Sequence, residues 1–172
     1  MTLTALLILI TPFALAFYEK KTWEKTLKEL LIRPLPKIKP TVVSALKIFA
    51  VFFIVLIALN LLFLKLGLNE ADKVREVVSK QGFLALVFAV TLAPIGEELL
   101  FRGYLQKRLG IILSSLVFAA FHVAYGSYTE VIAAFSFSII AGLELRKTKN
   151  VYACILSHAL FNGLALLAFL SA

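Results

Sequence analysis

The chain has 172 residues and a net charge of +8, and 61% of its residues are hydrophobic, against roughly 45–50% in soluble domains. Its mean hydropathy of +0.95 excludes a soluble globular enzyme and indicates an integral membrane protein, whose length fits one structural domain. Nucleic-acid binding is not indicated, because the basic residues fall in short loops between apolar runs. The single cysteine, Cys154, excludes an internal disulfide framework.

The N-terminal part, 1–80, is predicted to contribute two transmembrane helices joined by a basic cytoplasmic loop. Residues 1–18 carry no charge and lack the basic start and the cleavage site of a secretory signal, so we interpret them as a retained first span. Residues 41–66 form the second span. The segment 19–40 is interpreted as the loop, although its leucines also fit an interfacial helix that binds lipid headgroups. The charge-balanced segment 67–80 is predicted to be a solvated surface helix.

The remaining four transmembrane helices are predicted at 81–104, 109–128, 129–145 and 151–172. The chain is therefore predicted to be an all-α, polytopic membrane helix bundle of about six transmembrane helices, located in the cell membrane. In this topology the loops on one side carry thirteen Lys or Arg residues, and those on the other side carry four. The positive-inside rule then places the basic loops in the cytoplasm and both termini outside.

The third predicted span contains two adjacent carboxylates, Glu97 and Glu98, within apolar sequence. An ionised side chain at a helix centre costs roughly 2.5 to 3.5 kcal/mol, so such residues are usually paired, protonated or functional. Glu98 and Arg102 have the i, i+4 spacing of an ion pair on one helix face, whereas Glu97 points about 100° away and remains available for chemistry. A structural ion pair beside a protonated bystander is the alternative. Pro94 is expected to kink the helix, which favours a polar cavity near Glu97.

Two histidines and an asparagine lie at a depth similar to that of Glu97, when residues are counted at 1.5 Å each from the cytoplasmic ends of their spans. These are His122 and His158, the only histidines in the sequence, and Asn162, which shares a helix face with His158. Taken singly, each is more often a helix–helix hydrogen bond. Together with a carboxylate they supply what hydrolysis requires, a group to deprotonate water and donors for a developing oxyanion.

The three motifs together resemble the CPBP family of intramembrane proteases, which includes the type II CAAX prenyl endopeptidases and the bacteriocin-processing and immunity proteins. They are Glu97-Glu98-x-x-x-Arg102, Phe118-x-x-x-His122 and His158-x-x-x-Asn162, in this order on successive helices. The resemblance covers roughly 83–170, so that 81–172 would form a CPBP-like protease core. It implies that Glu98 and Arg102 organise the site.

The resemblance also implies a role for each of the other four motif residues. Glu97 would activate the attacking water together with His122, while His158 and Asn162 would stabilise the oxyanion or help to hold the water. The sequence is compatible with hydrolysis with or without a zinc ion. Glu97, His122 and His158 could form a three-ligand zinc site with an open position for water, and the same residues could act without a metal.

These observations predict an intramembrane endopeptidase that cuts a membrane-embedded or lipid-attached peptide or protein segment, with membrane lipids as its surroundings. The alternative is a non-catalytic scaffold or immunity-type protein that keeps the fold. An aspartyl dyad is excluded because Asp72 is the only aspartate, and neither a zinc-protease helix nor a serine nucleophile motif is present. A proton-relay transporter is disfavoured because the sequence has no inverted repeat.

Overall fold

A computed structural model describes residues 2–32, 34–68 and 70–171, and this part of the chain forms helices and connecting turns without a β-strand. The helices are α1 (Thr2–Lys20), α2 (Trp23–Glu29), α3 (Ile38–Lys65), α4 (Ala71–Ser79), α5 (Phe83–Val90), α6 (Leu92–Glu98), a π-helical segment (Leu99–Leu105), α7 (Gln106–Phe121), a 3₁₀ turn (His122–Tyr125), α8 (Tyr128–Thr148) and α9 (Val151–Ser171). The predicted all-α class is therefore confirmed.

Four stretches within the described residues are long and apolar enough to cross a membrane. They are Ile38–Lys65, Leu92–Tyr125, Tyr128–Thr148 and Val151–Ser171. Their lengths of 21 to 34 residues match or exceed the roughly 20 residues that a transmembrane helix needs. A membrane protein with several apolar helices is thus supported, and the count of about six transmembrane helices stays a prediction.

Gly110 interrupts the longest of these stretches. Its φ of 76° and ψ of 176° are not helical, and glycine adopts such angles without the steric penalty that other residues meet. The interruption directly follows Lys107 and Arg108, where the sequence predicts the loop between the third and fourth spans. The acidic motif therefore lies before the break and His122 after it, although Leu92–Tyr125 is continuous enough to count as a single candidate span.

The predicted third span, 81–104, is not one continuous α-helix. It breaks at Thr91, whose φ of −109° and ψ of −70° separate α5 from α6. Pro94, in the first turn of α6, has no backbone N–H, so a carbonyl of the preceding turn cannot receive its helical hydrogen bond. Asn162 on α9 donates to another carbonyl beside this break, that of Ala89, at 2.9 Å. The kink expected near Pro94 is present, and α9 packs against it.

Aromatic side chains join the helices around the acidic motif. Phe52 of α3 contacts Phe137 of α8 and Phe161 of α9, with ring centroids 5.3 and 4.7 Å apart. Phe101 of the π-helical segment meets Phe118 of α7 edge to face at 5.1 Å. Such arrangements add to the stabilisation that burial of the rings provides. The core therefore surrounds the segment that carries the acidic motif.

The first helix packs directly against the acidic helix. A Cβ atom added to Gly96 would lie 2.7 Å from the Cα atom of Leu9, closer than real Cβ atoms approach a backbone. Only glycine permits this approach, and Gly96 immediately precedes Glu97. Although the resemblance assigns no catalytic residue to α1, the helix supports the backbone from which the acidic motif projects.

Candidate functional site

A π-helical segment begins immediately after Glu98 and contains Arg102. Six of its seven residues are buried, Leu99 to Tyr104. Helices with i→i+5 hydrogen bonds are rare, and they occur frequently at functional sites. The wider winding here coincides with a buried cluster of charged groups around Glu98 and Arg102.

Glu98 lies between two partners and is fully buried. Its Oε2 atom is 3.0 Å from Nε of Arg102, and its Oε1 atom is 2.9 Å from Nδ1 of His158. The side chains of Glu98 and Arg102 are 0% and 1% exposed, so the ion pair predicted from their spacing is confirmed. The guanidinium also lies over the ring of Phe118, 4.6 Å from its centroid, a cation–π contact that further compensates the buried charge.

Both histidines are oriented by a hydrogen bond at Nδ1. In His158 the acceptor is Glu98, and in His122 it is the backbone carbonyl of Phe118, at 3.0 Å. An ionised carboxylate and a carbonyl oxygen can only accept, so Nδ1 carries the proton in each ring. In the neutral imidazole, Nε2 is then left as an acceptor. The two rings thus hold the same tautomer, and each keeps Nε2 for a substrate or water.

Glu97 is separated from the ion pair, as its position on the helix predicts. Its side chain is 19% exposed, and its Oε2 atom lies 3.9 Å from Nε2 of His158. This oxygen is buried and makes no hydrogen bond to any described residue. A gap of this size between two polar atoms can be bridged by a water molecule that bonds to both.

The six motif residues are brought together to different degrees. Glu97, Glu98, Arg102 and His158 form one contiguous cluster. His122 adjoins it through Phe118, whose ring centroid is 4.7 Å from that of His122 and 5.9 Å from that of His158. Asn162 lies one turn beyond His158 on α9, where its amide donates to Ala89.

Residues 79–164, half of the chain, match a family described as Type II CAAX prenyl endopeptidase Rce1-like. The chain belongs to this Rce1-like family. The matched region contains all six motif residues, and the family agrees with the resemblance that the motifs predict.

Two relatives of this Rce1-like chain are themselves uncharacterized proteins. YpbD of Bacillus subtilis (strain 168) is 31% identical over 90 residues, which are 52% of this chain and 48% of YpbD. A protein of Mycoplasma capricolum subsp. capricolum is 33% identical over 118 residues, 58% of this chain and 34% of the relative. The chain thus spans about half or less of the length of these relatives. No solved structure matches it.

The residues proposed as possible zinc ligands do not form a metal site as they stand. Among the described residues, no group of three His, Cys, Asp or Glu side chains is placed to hold a metal ion. Nδ1 of both histidines is hydrogen-bonded, which leaves Nε2 as the only ring nitrogen that could bind a metal. Because the described residues do not form a three-ligand group, we derive no step through a metal.

Sequence reasoning missed Phe137 of α8. Its ring lies 4.9 Å from that of His158 and 5.8 Å from the guanidinium carbon of Arg102, so it lines the ion-pair cluster beside Phe118, whose ring centroid is 6.4 Å away. With 15 phenylalanines in the chain, residue type alone could not single it out.

Sequence reasoning also missed Tyr125. It stacks on His122 with centroids 6.0 Å apart and follows it by one 3₁₀ turn.

Proposed function

We propose that this chain is an intramembrane endopeptidase that hydrolyses a peptide bond of a membrane-embedded or lipid-attached substrate, with Glu97 as the general base. The observation that carries the proposal is the buried, unpaired Oε2 atom of Glu97, 3.9 Å from an imidazole nitrogen of His158. A carboxylate with no internal partner at hydrocarbon depth is costly, and catalysis gives a reason for its presence. The family match supports the same activity.

The reaction begins with a water molecule that donates hydrogen bonds to Glu97 and to Nε2 of His158. Glu97 takes one proton as the water oxygen bonds to the scissile carbonyl carbon, and the carbonyl oxygen becomes an oxyanion. The proton on Glu97 then passes to the amide nitrogen, the C–N bond breaks, and a carboxylic acid and an amine are released. General-base assistance of this kind typically accelerates a reaction by about 10² to 10⁴.

The other motif residues act around this step. The side-chain amide of Asn162 has two N–H groups, of which one donates to Ala89. The second can stabilise the oxyanion. His122, oriented by the carbonyl of Phe118, assists Glu97 through Nε2. Glu98 fixes the tautomer of His158, and Arg102 balances the negative charge of Glu98.

The substrate class follows from the membrane location and from the family. Apolar helices surround the cluster, so the peptide has to reach it at the membrane, either as an embedded segment or through an attached lipid. The family description names prenyl endopeptidases, and we extend this to the present chain as a proposal for lipid-attached peptides.

Glu97→Gln tests the proposal directly. The variant keeps the side-chain volume and removes proton acceptance, so cleavage of a lipidated reporter peptide in membranes should fall by about 10² to 10⁴. Glu76→Gln is the matched control, because Glu76 is exposed and pairs with neighbouring Lys80, away from the cluster. This variant should cleave at the wild-type rate. Full activity of a folded Glu97→Gln protein would overturn the role of Glu97. Failure of the wild type to cleave any lipidated or embedded peptide would favour the non-catalytic scaffold instead.

A further inference from the structure

A cavity of about 240 Å³ opens beside the π-helical segment, between the end of α8 and the Gly110 break. We call it the basic cavity, because its lining includes Arg102, Gln106, Lys107, Leu145, Arg146 and Lys149. Its lining contains four cations and no carboxylate among the described residues. Such an arrangement attracts an anion.

The charges of this cavity are only partly compensated from within the protein. Lys107 donates to the backbone carbonyl of Glu29 and lies 3.9 Å from its carboxylate. Arg146 and Lys149 are exposed, and neither forms an ion pair within the described part of the chain. Glu98 already balances the charge of Arg102, but the two terminal nitrogens of Arg102, Nη1 and Nη2, are buried without a hydrogen-bond partner among the described residues. An anion in the cavity would therefore offset several like charges at once.

A second cavity of about 360 Å³ adjoins the first and is mainly apolar. Its lining includes Leu35, Pro34 and Pro40, and it shares Leu31 and Lys149 with the basic cavity. Both shared residues have left-handed backbone angles, with φ of 62° and 54°. Non-glycine residues adopt such angles only where the surrounding structure holds them. Leu31 and Lys149 therefore mark the junction between the two cavities.

We propose that the two cavities together bind one anionic phospholipid. Its phosphate lies among Lys107, Arg146 and Lys149, whose N–H groups form charge-assisted hydrogen bonds to phosphate oxygens. Its glycerol and first acyl carbons lie against Leu31 and Leu35. The adjoining apolar cavity favours a lipid over free phosphate, which has no apolar part to fill it. The location agrees as well, because Lys149 ends α8, one of the candidate spans, on the side that the basic loops place in the cytoplasm. The basic cavity shares Arg102 with the candidate functional site, but the lipid proposal does not rest on the proposed protease activity.

The test measures the melting temperature of the full-length protein in neutral detergent, with increasing phosphatidylglycerol, phosphatidylcholine or inorganic phosphate. Arg146→Gln with Lys149→Asn removes two cavity charges, and asparagine tolerates the left-handed angle at 149. Lys25→Gln with Lys39→Gln is the matched control. It removes two exposed charges of the same basic side that do not line either cavity. If the double cavity variant does not fold, Arg146→Gln alone takes its place.

Phosphatidylglycerol should stabilise the wild type and the control variant, and the cavity variant should bind it at least about tenfold more weakly. Phosphatidylcholine and inorganic phosphate should stabilise all three proteins much less. An equal loss of affinity for phosphatidylglycerol in the cavity variant and the control variant would overturn the proposal, because general surface charge would then explain the binding. Equal stabilisation by inorganic phosphate would overturn the lipid as the ligand, and no effect of phosphatidylglycerol on the wild type would overturn the site itself.

Discussion

Nδ1 of His158 lies 2.9 Å from Oε1 of Glu98, and through this contact the last helix is attached to the acidic motif. Glu98 binds Arg102 with its other oxygen at 3.0 Å. One buried carboxylate therefore neutralises a buried guanidinium and also fixes the tautomer of an imidazole. Changes at Glu98 should affect stability and site geometry together, whereas changes at Glu97 should affect chemistry alone.

Glu98→Gln is expected to destabilise the protein strongly. It leaves the 1% exposed Arg102 without its counter-ion, and removal of one partner from a buried ion pair typically costs about 3–5 kcal/mol. The melting temperature in detergent should fall well below that of the wild type. Glu97→Gln should melt close to the wild type, because Glu97 makes no hydrogen bond through its buried oxygen.

A second substitution separates the charge effect from other causes. Glu98→Gln with Arg102→Leu restores neutrality and should recover part of the lost stability, because no uncompensated charge remains buried. No change at Arg102 should restore activity to Glu97→Gln. A folded but inactive Glu98→Gln beside a fully active Glu97→Gln would show that the two carboxylates have been assigned in the wrong order.

Gly96→Ala is predicted to weaken the contact between α1 and α6. The added methyl group would lie 2.7 Å from the Cα atom of Leu9, so one helix has to move, and overpacking of this kind typically costs about 1–3 kcal/mol. Gly82→Ala is the control, because nothing lies within 4 Å of its added methyl group. Thermal melts of the two variants in the same detergent make the comparison. Equal melting temperatures would mean that α1 and α6 do not approach as closely as described.

The Glu70 carboxylate should make stability depend on pH. It accepts hydrogen bonds from Lys73 and from the backbone N–H of Tyr128, the latter at 2.9 Å, and so joins the turn before α4 to the start of α8. Partial burial alone would raise the pKa of Glu70, but these hydrogen bonds outweigh it and hold the pKa below the ordinary 4.5. A lowered folded-state pKa means that the stabilisation is complete above the ordinary value and is lost as the pH falls through the folded-state value.

Glu70→Gln should accordingly lower the melting temperature at pH 7. The difference from the wild type should shrink as the pH is lowered below about 5, because the stabilisation is lost between the ordinary pKa of the carboxyl and its lower folded-state pKa. Melting curves of both proteins across these pH values give the measurement. A difference that stays constant down to pH 3 would argue against an ionised Glu70 as the source of the stabilisation.

The predicted orientation can be tested by labelling with a membrane-impermeant thiol reagent. Trp23 is 61% exposed at the start of α2, within the basic segment that we predict to be cytoplasmic. Trp23→Cys in a Cys154→Ala background should therefore react only when the reagent reaches the cytoplasmic side. Labelling of intact cells from outside would contradict the predicted orientation.

Sequence reasoning could locate the cluster because helix geometry is regular. A fixed rise per residue gave similar depths for Glu97 and His158, and their side chains are indeed 3.9 Å apart at the nearest nitrogen and oxygen. The i, i+4 spacing likewise anticipated the pairing of Glu98 with Arg102. These inferences needed only local geometry and the cost of burying charge.

The features that sequence reasoning missed depend on how the helices pack. The π-helical winding around Arg102 changes the direction of side chains without a distinctive local pattern. The hydrogen bond of His158 to Glu98, rather than to Glu97, depends on the rotation of α9 relative to the acidic motif. The position of Phe137 between two helices depends on the same packing.

The close approach of Leu9 to Gly96 has a consequence for biosynthesis. Ribosomes add roughly 5–20 residues per second, so α6 emerges several seconds after α1 has been made. In the predicted six-span topology, the face of α1 that later meets Gly96 lies against lipid or the insertion machinery during that interval. The sequence from Thr2 to Tyr18 carries no charge, so it can remain in an apolar environment before its partner helix is made. Packing of the acidic helix against α1 should therefore follow the insertion of α1.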